Sequence, residues 1–196
     1  MDDSLLTMAK ATDPFIIVPL LRMPAERNGA DAEAEKTRIY ELIDRKKTDE
    51  IQSDPTAMAL LKEIGPDENI LSYAVNFRHL DGTINPDLRL ANELNKAIYD
   101  RLSINPGQDI YGYDLIVSTT DLDAATYGPA FIDDFKRRLG TAGSPGRTVT
   151  VLRSVVMDPW VTETSAGSFI DVLESEFRKA VLAGIEQVRP SQTKGY

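Results

Sequence analysis

Cysteine is absent from the 196 residues. That excludes disulfides, thiolate metal sites and a thiol nucleophile. Histidine occurs once, as His79. A metal site built on two or three histidines is therefore excluded within one chain. A Ser-His-Asp triad would have to use His79, and no G-x-S-x-G turn is present to expose its serine. No apolar run approaches the ~20 residues of a membrane span. Basic residues are in the minority, 22 Lys+Arg against 31 Asp+Glu, for a net charge of −9. Such a balance argues against a phosphate-backbone binder and against docking on an anionic membrane. The opening, MDDSLLTMAK, is acidic where a secretion signal is basic, so a cytoplasmic location is expected.

What is present fits a globular chain. Hydrophobic residues make up 42% and charged residues 27%, enough to bury a sizeable core in one domain. The expected organisation is a flexible arm over 1–14, a single α/β domain over 15–188 and a frayed tail over 189–196.

Periodicity places the elements. Phe15-Ile16-Ile17-Val18, bounded by Pro14 and Pro19, reads as a short strand. Residues 22–31 read as a loop, and a charged helix follows over 32–47 with Ile39, Leu42 and Ile43 as its aliphatic points. Asp54-Pro55 caps and opens a second helix carrying Met58, Leu61 and Ile64, which Gly65-Pro66 closes. A strand over 70–77 sets Tyr73, Val75 and Phe77 on one face. Asn85-Pro86 precedes a helix with Leu88, Ala91, Leu94, Ile98 and Leu102 on one stripe. A strand is expected over 113–119, a helix from Tyr127 or Pro129 to Leu139, a strand over 148–157, and a helix over 168–188. The last carries Phe169, Leu173, Phe177, Val181 and Ile185. The alternation implies an α+β two-layer sandwich, a small three- to four-stranded sheet with helices on one face.

The strand over 148–157 carries the most informative residue. Val149, Val151, Arg153, Val155 and Met157 share one face, so Arg153 lies among valines. A guanidinium keeps its proton there and needs an anion. That anion is either an acid of the same chain or an external carboxylate or phosphate, which arginine's fork matches with two hydrogen bonds.

From Val151-Leu152-Arg153-Ser154 through Met157-Asp158-Pro159-Trp160-Val161-Thr162, the chain resembles the last strand and following turn of group II pyridoxal-phosphate-dependent decarboxylases. That family holds the glutamate, aromatic-amino-acid and tyrosine decarboxylases. Further segments resemble its fungal members in order and spacing: Ile17-Val18-Pro19-Leu20, Tyr73-Ala74-Val75-Asn76-Phe77, Asn92 with Leu94-Asn95, Arg101-Leu102-Ser103-Ile104, Ser118-Thr119-Thr120, Tyr127-Gly128 and Arg138-Leu139-Gly140. The resemblance covers about residues 15–188. It implies the C-terminal small domain of a fold-type I enzyme, with Arg153 as the contact for a substrate carboxylate.

The chain also departs from that family. The cofactor aldehyde forms an imine with the lysine of a His-Lys pair, whereas His79 is followed by Leu80. Lys36, Lys46, Lys47 and Lys62 stand in charged helical stretches, unlike an activated amine. The family's upstream Asp and phosphate-binding loop have no counterpart. Pyridoxal phosphate is thus implied by resemblance only, and covalent binding by this chain alone is not expected. The expected role is the substrate-carboxylate contact of a decarboxylase that is not catalytic alone. The alternative is a stand-alone binding or dimerising module. The expected partners are a second copy or a cofactor-binding large domain, with an amino-acid or carboxylate ligand and neither nucleic acid nor membrane.

Other residues carry plainer readings. His79, beside Arg78 and Asp81, reads as a turn residue before it reads as a general base. Asp114, Asp121 and Asp123 read as loop acids, because no glycine and distal glutamate complete a calcium loop. Asp133-Asp134 before Lys136-Arg137-Arg138 follows the helix dipole. Gly140, Gly143 and Gly146 read as a flexible connection rather than a phosphate cradle. Trp160 and the strand over 15–18 are candidates for surface covered by a partner. Asp81, Asp158 and Glu163 would be the acids of an unrelated enzyme, though no spacing pairs them.

Overall fold

A computed structural model describes residues 9–10, 12–20, 22–64, 70–104, 106–155 and 168–189. Asp158, Trp160, Glu163, the Gly65-Pro66 helix stop, Val156 and Met157, and the tail from 190 lie outside the described residues.

Four strands form the sheet: β1 (Phe15–Pro19), β2 (Ile70–Phe77), β3 (Ser118–Asp123) and β4 (Thr148–Val155). Their order is β1-β2-β4-β3 and every neighbouring pair is antiparallel. The helices are α1 (Pro24–Asn28), α2 (Ala32–Ile39), α3 (Thr48–Ser53), α4 (Pro55–Ile64), α5 (Leu88–Leu102), α6 (Ala124–Tyr127), α7 (Pro129–Arg138) and α8 (Ile170–Val188). The expected α+β class is therefore observed.

Alternation along the strands separates two cores. On one face Leu71, Tyr73, Val75, Phe77 and Leu152 pack with Leu94, Ile98 and Leu102 of α5 and with Phe177, Val181 and Ile185 of α8. The predicted α5 stripe is divided, with Leu94, Ile98 and Leu102 in this core and Leu88 and Ala91 in the second; of the predicted α8 stripe Phe177, Val181 and Ile185 are buried, Leu173 is partly buried and Phe169 precedes the helix. The other face carries Val18, Ala74, Val149 and Val151, and α7 covers them with Ile132, Phe135 and Leu139. The helical layer on the first face is thus joined by partial cover on the second, because the alternate strand positions there are apolar too.

Several boundaries differ from the sequence expectation. The third strand lies at Ser118–Asp123 rather than over 113–119; its residues become a strand by pairing with Thr148–Arg153 of β4, a non-local choice. The stretch 22–31 contains α1, with Pro at its first position and Gly29 at φ +69° ending it. In α4 the buried residues are Ala57 and Leu60, with Leu61 and Ile64 only packed beside them. The strand over 15–18 is not a free apolar surface, since Phe15 and Val18 are buried against β2 and the two cores.

The sheet is split near its middle. β2 and β4 pair only over Ile70–Tyr73 and Leu152–Val155. Beyond that, β2 continues on β1 and β4 continues on β3. The start of α5 fills the gap. Asn95 accepts from the Val75 N–H at 2.8 Å and donates to the Val75 carbonyl at 2.9 Å. Asn92 accepts from the Thr150 N–H at 3.0 Å and donates to the Thr148 carbonyl at 2.9 Å. Each amide stands in for the strand partner that the split removes.

Candidate functional site

The paired half of the split sheet carries Arg153. Its register partners are Ser72 on β2 and Ser118 on β3. Residues directly opposite share a face with Cβ atoms about 4.5–5.5 Å apart, so two hydroxyl side chains flank the arginine stem. Thr120 follows on the same face of β3, opposite Val151. Ile70 pairs with Val155 at the rim, and these two are 41% and 51% exposed.

Arg153 is half-buried. Along its face Val149 and Val151 are buried while Val155 is exposed, so the arginine stands where the cover given by α7 ends. Among the described residues its guanidinium has no hydrogen bond and no ion pair, while its carbonyl accepts from Ser118 Oγ at 3.4 Å. By contrast, Arg22, Arg137 and Arg138 all pair with Asp134, and Arg178 pairs with Asp13. The arrangement offers a half-desolvated cation beside hydroxyl groups, the chemistry of an anion receptor.

The deeper core at this end lies on the opposite face. Tyr73 and Ser154 are buried there and share a 2.8 Å hydrogen bond. Burial pushes the Tyr73 phenol well above its ordinary range, against the opposing effect of that bond. It is therefore a neutral structural group.

The remaining candidates separate from this site. His79 is exposed in a turn, edge-on to Phe77 at 5.4 Å. Asp81 accepts from the Thr83 hydroxyl and N–H, which hold its carboxyl below the usual range. Asp123 caps α6 through Ala125 and Thr126, and Asp121 accepts from Thr150. Among the described residues no three His, Asp or Glu side chains converge on a metal position. The glycine-containing loop after α7 is anchored to that helix by one side chain. Lys136, only 6% exposed, donates to the carbonyls of Ser144 at 2.8 Å and Gly146 at 3.0 Å.

Those bonds bear on the cofactor. An imine-forming lysine must be an unengaged amine in a desolvated pocket. Lys136 is buried but engaged by two carbonyls, and Lys36, Lys46, Lys96 and Lys179 pair with Glu33, Asp54, Asp100 and Glu176. Lys10, Lys47 and Lys62 are exposed. The described lysines therefore do not fit a covalent anchor for pyridoxal phosphate.

Nothing in the sequence places either serine beside Arg153, although Ser118 stands in the Ser118-Thr119-Thr120 segment of the resemblance. Their only signal there is a polar residue at an alternating strand position, as Ser72 is between Leu71 and Tyr73. Register, which sequence does not carry, brings them to the arginine.

Among the described residues no helix is long and apolar enough to cross a membrane. No curated protein matches the chain. A family model described as tyrosine decarboxylase, C-terminal, matches residues 35–183, a span that includes β2, β3, β4, Arg153 and most of α8. The chain belongs to the tyrosine decarboxylase C-terminal domain family.

Proposed function

We propose that this chain acts as the C-terminal domain of a pyridoxal-phosphate-dependent amino-acid decarboxylase, and that Arg153 receives a carboxylate of the substrate. The observation that carries this reading is a half-buried guanidinium between Ser72 and Ser118 that has no hydrogen bond or ion pair among the described residues. A cation at the edge of the core with no acid beside it among the described residues gains most from an anion that arrives from outside. A carboxylate is the anion that an amino acid supplies, and a bidentate pair fixes its orientation as well as its position.

The cofactor's electron-withdrawing chemistry would be supplied by another polypeptide segment or subunit. The role of this chain is to bind and orient. The exposed Ile70 and Val155 beside Arg153, with Ile116 at 41% exposure nearby in sequence to β3, favour a second protein surface covering the same end of the sheet. That surface would come from a cofactor-binding large domain or from a second copy of the chain, in the cytoplasm.

NMR titration of the chain with glutamate and with tyrosine tests the arginine. Amide shifts centred on residues 72, 118 and 153 are expected, and they should vanish in Arg153→Ala. Shifts that persist in that variant would remove Arg153 from the role. A parallel titration with pyridoxal phosphate should leave no visible absorbance band after dialysis; a retained band would show that this chain anchors the cofactor itself.

A further inference from the structure

An open cleft of about 380 Å³ lies between the first turns of α5 and the loop and start of β4. Its walls are Arg89, Asn92, Glu93 and Lys96 on the helix and Arg147, Thr148 and Thr150 on the strand side. It is separate from the Arg153 site, which lies three residues beyond the lining residue Thr150 along β4 and on the opposite strand face, roughly 10 Å at ordinary strand rise.

Three cations line this cleft against one acid, in a chain whose net charge is −9. Arg147 is exposed, and among the described residues its side chain has no hydrogen-bond or ion-pair partner. Nor do the N–H groups of Gly146 and Arg147 have an acceptor among the described residues. Arg89 is shared between Asp87 and Glu93, and Lys96 pairs with Asp100. Those pairs are exposed, with the cations 67% and 68% accessible. Pairs of that kind contribute about 0–1 kcal/mol, so a ligand anion can take the cation from its partner. Leu88 and Pro145 add an apolar part to the lining. The volume falls within the range of small-molecule clefts.

We infer that this cleft binds a small molecule carrying two acidic groups, carboxylate or phosphate, one met by Arg147 on the strand side and the other by Lys96 and Arg89 on the helix. Thr148 also lines the cleft, and its hydroxyl is a neutral donor. Neither Asn92 nor Thr150 is free for the ligand, because Asn92 holds the β4 backbone and the Thr150 hydroxyl is held by Asp121.

The full chain titrated with inorganic phosphate and, separately, with succinate in a 1H–15N NMR experiment tests this. Saturable shifts are expected at the amides of Arg89, Lys96 and residues 146–148. In Arg147→Gln combined with Lys96→Gln the affinity should fall by roughly tenfold or more, and added NaCl should weaken wild-type binding. Both positions are exposed, and retained dispersion in the unliganded spectrum confirms that the variant folds. A response to phosphate alone assigns a phosphorylated ligand; a response to succinate assigns a dicarboxylate. No saturable shift with either, or shifts unchanged in the double variant, overturns the inference. Arg153→Ala should leave this response intact, which separates it from the substrate-carboxylate reading.

Discussion

Asn95 gives Val75 both halves of a missing strand: its carbonyl accepts from the Val75 N–H and its amide donates to the Val75 C=O. The amide also donates to the Ala91 carbonyl at 2.8 Å, within its own helix. Asn95 is fully buried. A sheet can part here without orphaned backbone because one helix residue replaces a strand partner. Three residues earlier Asn92 does the same for β4 from a half-exposed position. This spacing puts both amides on one face of α5.

Replacing Asn95 by Leu should therefore cost more than its change in volume suggests. It leaves a buried N–H and C=O of Val75 without partners, for a loss of about 2–4 kcal/mol. Asn92→Ala should cost about 1 kcal/mol, because water can reach the freed groups. Urea unfolding of the two variants checks both the size and the order.

Tyr73 and Ser154 should behave as a coupled pair. Tyr73→Phe or Ser154→Ala alone strands the other hydroxyl in the core, at about 1–2 kcal/mol. The double variant removes both polar groups and should recover much of the second loss. A double-mutant cycle by urea denaturation that shows simple additivity would contradict this. The Tyr73 ring also meets Phe177 edge-on at 5.6 Å, and Phe177→Ala should cost about 3–5 kcal/mol.

Arg153→Leu should separate stability from binding. A half-buried guanidinium with no acid beside it among the described residues adds little to the fold, and an apolar substitute is neutral or stabilising there. Thermal unfolding should thus show an unchanged or higher midpoint while the response to glutamate disappears. A strong loss of stability would instead show that the arginine is a structural element.

Stability should fall with acid through Asp13. Burial raises its carboxyl, but the hydrogen bond from Arg178 and the Lys10 N–H outweigh that and leave it below the usual range. A carboxyl depressed in the folded state stabilises above its unfolded value, about 3.9. The contribution is lost as pH falls through the lower folded value. Asp13→Asn should be less stable than wild type at neutral pH, with the gap in urea midpoint closing at acid pH. A gap independent of pH would remove the charge from the explanation.

Much of this fold was legible in the sequence. The stripes on α5 and α8 and the alternation in β2 and β4 predicted most of the buried residues, though not the exposure of Val155 or the partial burial of Phe169 and Leu173. Asp54-Pro55 also marked a helix start correctly, with Asp54 accepting from Thr56 and Ala57. The third strand was misplaced because Ser118–Asp123 is polar and owes its extended form to β4. Arg153 was identified as a cation among valines, but its hydroxyl neighbours were not.

By itself the sequence determined what these residues do not supply: they hold no thiol, a single histidine and no His-Lys pair. It also determined the two helical stripes, because hydrophobic period acts locally. Only the tertiary structure decided that Ser72 and Ser118 flank Arg153, that no acid among the described residues neutralises it, and that Asn92 and Asn95 hold the sheet apart. Those relationships depend on strand register and on which helix end enters which gap. Both are set by contacts between residues far apart in the chain, where local pattern carries no information.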